Sequence, residues 1–114
     1  MNTIIQMLLA ASLWGTPEKV STPEFKPVLL FAEKTYQFIQ YPDVAKEMNI
    51  KGKVRMKLEI GKDGKVTDYK VLNSAHDVLT NEVVKNLKNL YFEPACDHGQ
   101  TVVSDIVISF SFGN

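Results

Sequence analysis

The sequence predicts an α+β fold: a three-stranded antiparallel sheet packed on one face by helices, in the order helix, helix, strand, strand, helix, strand. Three observations carry that expectation. Residues 53–60 alternate apolar and charged side chains, the mark of a strand with one buried and one solvated face. Gly61, Lys62, Asp63 and Gly64 follow as a hairpin turn with a glycine at each end. Leu79, Val83, Leu87 and Leu90 recur at helical spacing, a stripe that such a sheet would bury.

A chain of 114 residues suffices for one domain with a modest core. Hydrophobic residues at 45% argue against wholesale disorder. Basic and acidic residues balance at 13 each, and the lysines alternate with acids, so no nucleic-acid partner is expected. The one cysteine, Cys96, cannot form an internal disulfide and is not a zinc site on its own. It reads as a small loop or core thiol.

The elements follow in order. Residues 1–15 read as a signal peptide or an N-terminal apolar segment. The run Ile4 to Trp14 is far shorter than the roughly 20 residues that cross a bilayer. Ala10, Ala11 and Ser12 offer a small-residue cleavage site, but no Lys or Arg precedes the run. Export is favoured, with a helix lying on the domain as the alternative. Membrane association would come only through this segment. Residues 16–27 hold three prolines and read as an extended linker. The domain proper occupies residues 28–114.

Residues 28–40 are expected to form a helix, with Val28, Phe31, Ala32, Thr35, Phe38 and Ile39 on one face. Tyr41 precedes a proline and leaves helical geometry. Pro42 suits a first helical position, Asp43 the positive end of the dipole, and Gly52 a release. Ala45 and Met48 are expected to face inward. A one-to-two-turn helix is thus braced between two chain reversals.

In the first strand Val54, Met56, Leu58 and Ile60 share the buried face. The return strand covers residues 65–72, anchored by Val66, Tyr69 and Val71, with a bulge where the period slips between Val66 and Tyr69. Asp77 is the candidate N-cap of the main helix, which must end before Glu93 because Pro94 follows. Residues 95–100 read as a loop around Gly99. Residues 101–112 form a long final strand, with Val102, Ile106, Ile108, Phe110 and Phe112 pointing one way.

Catalytic chemistry finds little support. His76 and His98 are the only histidines, and no metal-ligand, nucleotide or nucleophile motif appears. No cofactor, no metal and no enzyme activity are expected. The final strand is more informative, because its only charge is Asp105. If central, it simply buries more surface. If it lies at an edge, its unpaired backbone groups form a template for another strand. The residues alone leave both arrangements open.

An ordered set of residues then matches a family. Tyr41-Pro42 with Ala45, Ile50-Lys51-Gly52-Lys53-Val54, the turn from Gly61 with Lys65-Val66-Thr67-Asp68, Val71-Leu72-Asn73-Ser74, Leu79, Phe92-Glu93-Pro94-Ala95, Asp97-His98-Gly99 and Phe112 together resemble the TonB C-terminal domain. The stretch Phe38-Ile39-Gln40-Tyr41-Pro42 is similar to Bacteroidetes-type members. The resemblance implies a periplasmic domain of the Gram-negative envelope that binds outer-membrane receptors in TonB-dependent transport.

In that family the last strand lies beside the first at the sheet edge and captures an extended peptide near the receptor's N-terminus, the TonB box. Carried over, the capturing backbone runs through Thr101, Val102, Val103, Ser104, Asp105, Ile106, Val107, Ile108 and Ser109. The segment before Tyr41-Pro42, including Tyr36, Phe38 and Gln40, would touch the receptor. A full transducer of the family also has an uncleaved membrane helix and a long proline-rich spacer. A 12-residue linker reaches only about 40 Å, too little to cross a periplasm. The chain is therefore expected to be a stand-alone receptor-binding or scaffold domain, a part fused elsewhere, or a truncated piece of a longer protein. The alternative is a structural domain that forms a homodimer through the same sheet edge.

Overall fold

The alternating segment and its return strand meet a third partner, the last strand, on the opposite side. The structure is a computed structural model that describes residues 18–113, with the side chains of residues 36–38 outside that description. The apolar segment expected at residues 1–15 lies outside the described residues. In chain order the elements are β1 (Val28–Leu30), α1 (Ala32–Phe38), α2 (Asp43–Glu47), β2 (Gly52–Ile60), β3 (Val66–Ser74) and α3 (Asp77–Asn86). A 3-10 turn (Leu87–Asn89) then leads to β4 (Tyr91–Glu93), β5 (Ala95–Asp97), β6 (Gln100–Val102) and β7 (Ser104–Phe112). The main sheet is antiparallel in the order β3-β2-β7, which puts the last strand at an edge. β1 pairs with β4, and β5 with β6, as two-stranded ribbons.

The core sits where the two predicted stripes meet. Val54, Met56, Leu58 and Ile60 of β2 are 0% exposed, and α3 lays Leu79 and Val83 against that face. Leu87, Leu90, Phe92, Phe110 and Phe112 close the cluster. Each such side chain contributes roughly 1.5–3 kcal/mol when fully buried. The opposite face of β2 carries Lys53, Arg55 and Lys57, all exposed. Tyr41 ties the α2 corner to this core. Its ring lies 6.2 Å from that of Phe112, and its hydroxyl donates to the Ile50 carbonyl.

The hairpin turn forms where the glycines predict it. The Gly61 N–H donates to the Lys65 carbonyl at 2.9 Å and the Gly64 N–H to the Gly61 carbonyl at 3.0 Å. Gly64 has a φ of 82°, and a Cβ there would sit 2.0 Å from the Phe92 carbonyl oxygen. That close approach stitches the turn to β4, whose Phe92 N–H donates to the Gly64 carbonyl at 2.9 Å. β3 carries the bulge expected near Val66, with Thr67 as the extra residue, and a second at Leu72.

Several local expectations are corrected. Residues 28–40 are not one helix. Val28–Leu30 pairs with Tyr91–Glu93 as a strand, Phe31 takes a left-handed φ of 55°, and only then does α1 begin. A run of apolar residues satisfies either pattern, and the distant pairing decides between them. Val28 and Phe31 consequently face solvent. Asn49 (φ 55°), not Gly52, turns the chain after α2, and Met48 is 64% exposed. The side chain that caps α3 belongs to His76, whose Nδ1 accepts from the Val78 N–H at 3.1 Å, rather than to Asp77. Tyr69 and Val71 lie opposite Leu58 and Met56 but remain 46% and 37% exposed, because β3 has no neighbour on its outer side among the described residues. The expected loop at residues 95–100 is a hairpin, turned by His98 and Gly99 at φ 50° and 77°. The final strand is divided at Val103 into β6 and β7.

Candidate functional site

β2 fixes which backbone groups of β7 face outward. The Ala75 N–H donates to the Lys53 carbonyl at 3.1 Å, so the odd-numbered residues of β2 direct their backbone toward β3. The even-numbered ones therefore pair with β7. The register keeps this parity from Gly52↔Phe112 to Ile60↔Ser104 without a bulge. Asp105, Val107, Ser109 and Ser111 consequently direct their N–H and C=O groups away from the sheet. Among the described residues no strand lies along that side of them. The outer edge of β3 is also bare, but two bulges interrupt it and Asp68 and Lys70 decorate it. β7 is thus the smoother template of the two.

The edge is closed at its start by the chain's own N-terminal side. Lys19 bridges Val103 in parallel, and the Val20 N–H donates to the Val103 carbonyl at 2.7 Å. The Ser104 hydroxyl donates to the Val20 carbonyl, also at 2.7 Å. The Lys19 ammonium lies 3.0 Å from Asp105 and 3.8 Å from Glu59. Its pKa is raised, first by the hydrogen bond that it donates to Asp105 and then by that carboxylate's charge. This strap continues to Phe25, which exchanges two 3.0 Å backbone hydrogen bonds with Cys96. The segment expected as an extended linker is therefore extended but attached from Lys19 onward.

At its other end the edge is flanked by a groove. Leu29, Thr35 and Ile39 stand across from Ile108, Phe110 and Phe112 around a cavity of about 200 Å³. A strand added to β7 would direct alternate side chains into this apolar groove and onto the solvated face that carries Lys53, Arg55 and Lys57.

The residues singled out by sequence fall into distinct places. Thr101 and Val102 lie in β6 and pair with Cys96 and Ala95. Val103 is held by the strap, and Ser104 is buried beneath it. Asp105, Ile106, Val107, Ile108 and Ser109 lie on the edge strand, where Ile106 and Ile108 turn their backbone toward β2. Tyr36 and Phe38 belong to α1, and Gln40 is exposed just after it. Sequence reasoning missed Ser111, which simple continuation of the alternation would have added. It also missed Lys19 and Val20, which carry no local signal.

Among the described residues no catalytic grouping forms around the histidines. His76 caps α3, whereas Cys96 and His98 lie in the β5–β6 hairpin. Glu24, Asp97 and His98 bring one ligand atom each within 4.8 Å at the surface. Their contacts serve as a staple: the His98 N–H donates to Glu24 Oε1 at 2.6 Å and the Glu24 N–H to Asp97 Oδ1 at 3.2 Å. No helix among the described residues is long and apolar enough to cross a membrane.

The sequence model of the family described as Gram-negative bacterial TonB protein C-terminal matches residues 37–113, from within α1 to the residue after β7. The chain belongs to the TonB C-terminal domain family. The solution NMR structure of the Pseudomonas aeruginosa TonB C-terminal domain is similar, with a TM-score of 0.59 and 24% identity over 88% of this chain and 96% of that one. At that identity the likeness speaks for the fold. No curated protein sequence matches the chain. Membership connects this TonB C-terminal domain with TonB-dependent transport and with a domain type that works through protein interaction rather than catalysis. The strap and β1 lie N-terminal to the matched residues.

Proposed function

We propose that this TonB C-terminal domain acts in the periplasm, recruiting an extended N-terminal peptide of outer-membrane receptors, the TonB box, along β7 by β-augmentation. The observation that supports this function is the uninterrupted row of outward backbone groups at Asp105, Val107, Ser109 and Ser111. Main-chain hydrogen bonds supply affinity in this mode, and side-chain pockets supply selectivity. The groove beside Thr35 and Ile39 is such a pocket. It also brings the segment before Tyr41-Pro42 next to the incoming strand.

The test is an NMR titration of the isotopically labelled chain with a peptide from a receptor N-terminus. The amides of Val107, Ser109 and Ser111 should shift most and gain protection from exchange, while those of β3 stay put. Shifts confined to β3, or none at all, would remove this function.

A second reading is a homodimer through the same strand. It is favoured by the scarcity of charge on β7, where Asp105 stands alone. Light scattering across a concentration series separates the two: a mass that doubles with concentration and no response to peptide supports the dimer.

A further inference from the structure

Resting on the reading of β7 as a docking edge, we propose that the incoming strand is acidic on its solvated face and is selected by Arg55 and Lys53. The strap already shows how a segment beside β7 is read. Lys19 is bridged to Val103 at the edge, yet its ammonium reaches Asp105 at 3.0 Å and extends to Glu59 on β2 at 3.8 Å. A long side chain beside β7 therefore touches the second strand in.

Further along the same face the charge reverses. Lys57 is engaged by Asp105 at 3.4 Å. Arg55 and Lys53 are exposed, and among the described residues neither has an ion-pair partner. On β3, Arg55 faces the neutral Asn73, so no counter-charge comes from that side. On β7 the neighbours of Arg55 and Lys53 are Ser109 and Ser111. Those short side chains leave the path from β2 to the edge clear. Two strand spacings amount to about 9.6 Å, a gap that an arginine and a glutamate extended toward each other close.

The partner's two faces are then distinct. Side chains entering the groove beside Ile39 meet mostly apolar walls, and those over the solvated face of Ser109 and Ser111 meet positive charge. A second copy of this chain fits less well, because the only acid of its β7 is Asp105, which Lys19 and Lys57 already hold.

Fluorescence anisotropy tests this with the full chain and labelled seven-residue peptides of alternating valine and threonine. Glu, Gln or Lys replaces each threonine in turn. At low salt the best Glu peptide should bind about two- to five-fold tighter than its Gln counterpart and the Lys peptide more weakly, as expected for one exposed ion pair. Added salt should erase the difference. In the double variant Arg55→Gln, Lys53→Gln the preference for the Glu peptide over the Gln peptide should disappear. Equal binding of Glu, Gln and Lys peptides by the parent overturns the proposal but leaves the docking edge standing. If no peptide binds while circular dichroism shows a folded chain, both fall. Peptide-insensitive dimerisation by light scattering counts against both as well.

Discussion

Lys19 and Asp105 are joined across the start of the sheet edge, with Nζ 3.0 Å from the carboxylate. The contact couples the strap to the strand that would receive a partner. It also sets a pH response. Asp105, by hydrogen bond and then by charge, holds the Lys19 ammonium above its ordinary 10.5, with smaller help from Glu59 and Asp68. A raised lysine pKa stabilises the fold fully below 10.5 and ceases to do so as pH climbs past the folded value. The strap contact is therefore expected to persist through neutral pH and to loosen only in stronger alkali. An NMR titration of the Lys19 side-chain carbons should give a midpoint above 10.5, falling in Asp105→Asn. An unchanged midpoint in that variant would exclude the pairing.

The alternation along β7 predicts opposite outcomes for two neighbouring prolines. Val107 directs its N–H outward, so Val107→Pro removes a donor that the fold does not use. Its thermal midpoint should stay near that of the parent while peptide binding is lost. Ile106 directs its N–H at β2, so Ile106→Pro should cost about 1–3 kcal/mol of stability. Denaturant titration of the pair checks the parity. Equal damage in both variants would refute it.

Two turn glycines are expected to differ. Both Gly64 and Gly99 have positive φ, but a Cβ at Gly64 meets the Phe92 carbonyl whereas one at Gly99 meets nothing within 4 Å. Gly99→Ala should cost only the backbone strain, about 1–2 kcal/mol. Gly64→Ala should cost more, and should loosen β4 from the turn. Urea midpoints rank the two, and exchange of the Phe92 amide reports the detachment.

The sheet-to-helix contact buries the apolar stripe of α3 against β2. Leu79 is fully buried against β2, and Leu79→Ala is expected to cost about 2–5 kcal/mol. Val44→Ala on the exposed side of α2 should fall within about 0.5 kcal/mol of the parent. Chemical denaturation monitored through Trp-independent circular dichroism measures both.

What the residues disclosed on their own tracks how local the cause is. β2 was legible because its partners bury one face and leave the other wet, so Val54 to Ile60 had to alternate. The turn glycines and the α3 stripe were legible for the same reason. β1 was not, because Val28, Leu29 and Leu30 owe their extended form to Tyr91, Phe92 and Glu93, far along the chain. The β5–β6 hairpin hid because His98 takes a positive φ that its side chain does not advertise. At the site, the alternation named which residues of β7 share a face, but not that β7 lies at the margin of the sheet. Lys19 was invisible altogether, since its role depends on carboxylates at Glu59 and Asp105.

The parity of β7 makes its margin a ruler. Usable marks recur at every second residue, about 6.8 Å apart. A ligand sliding by one residue would present its own groups between marks and turn its side chains over, whereas a slide of two meets the same pattern again. Sequence-shifted ligands should thus be distinguished in two-residue steps, and the strap at Val103 supplies the zero of the scale.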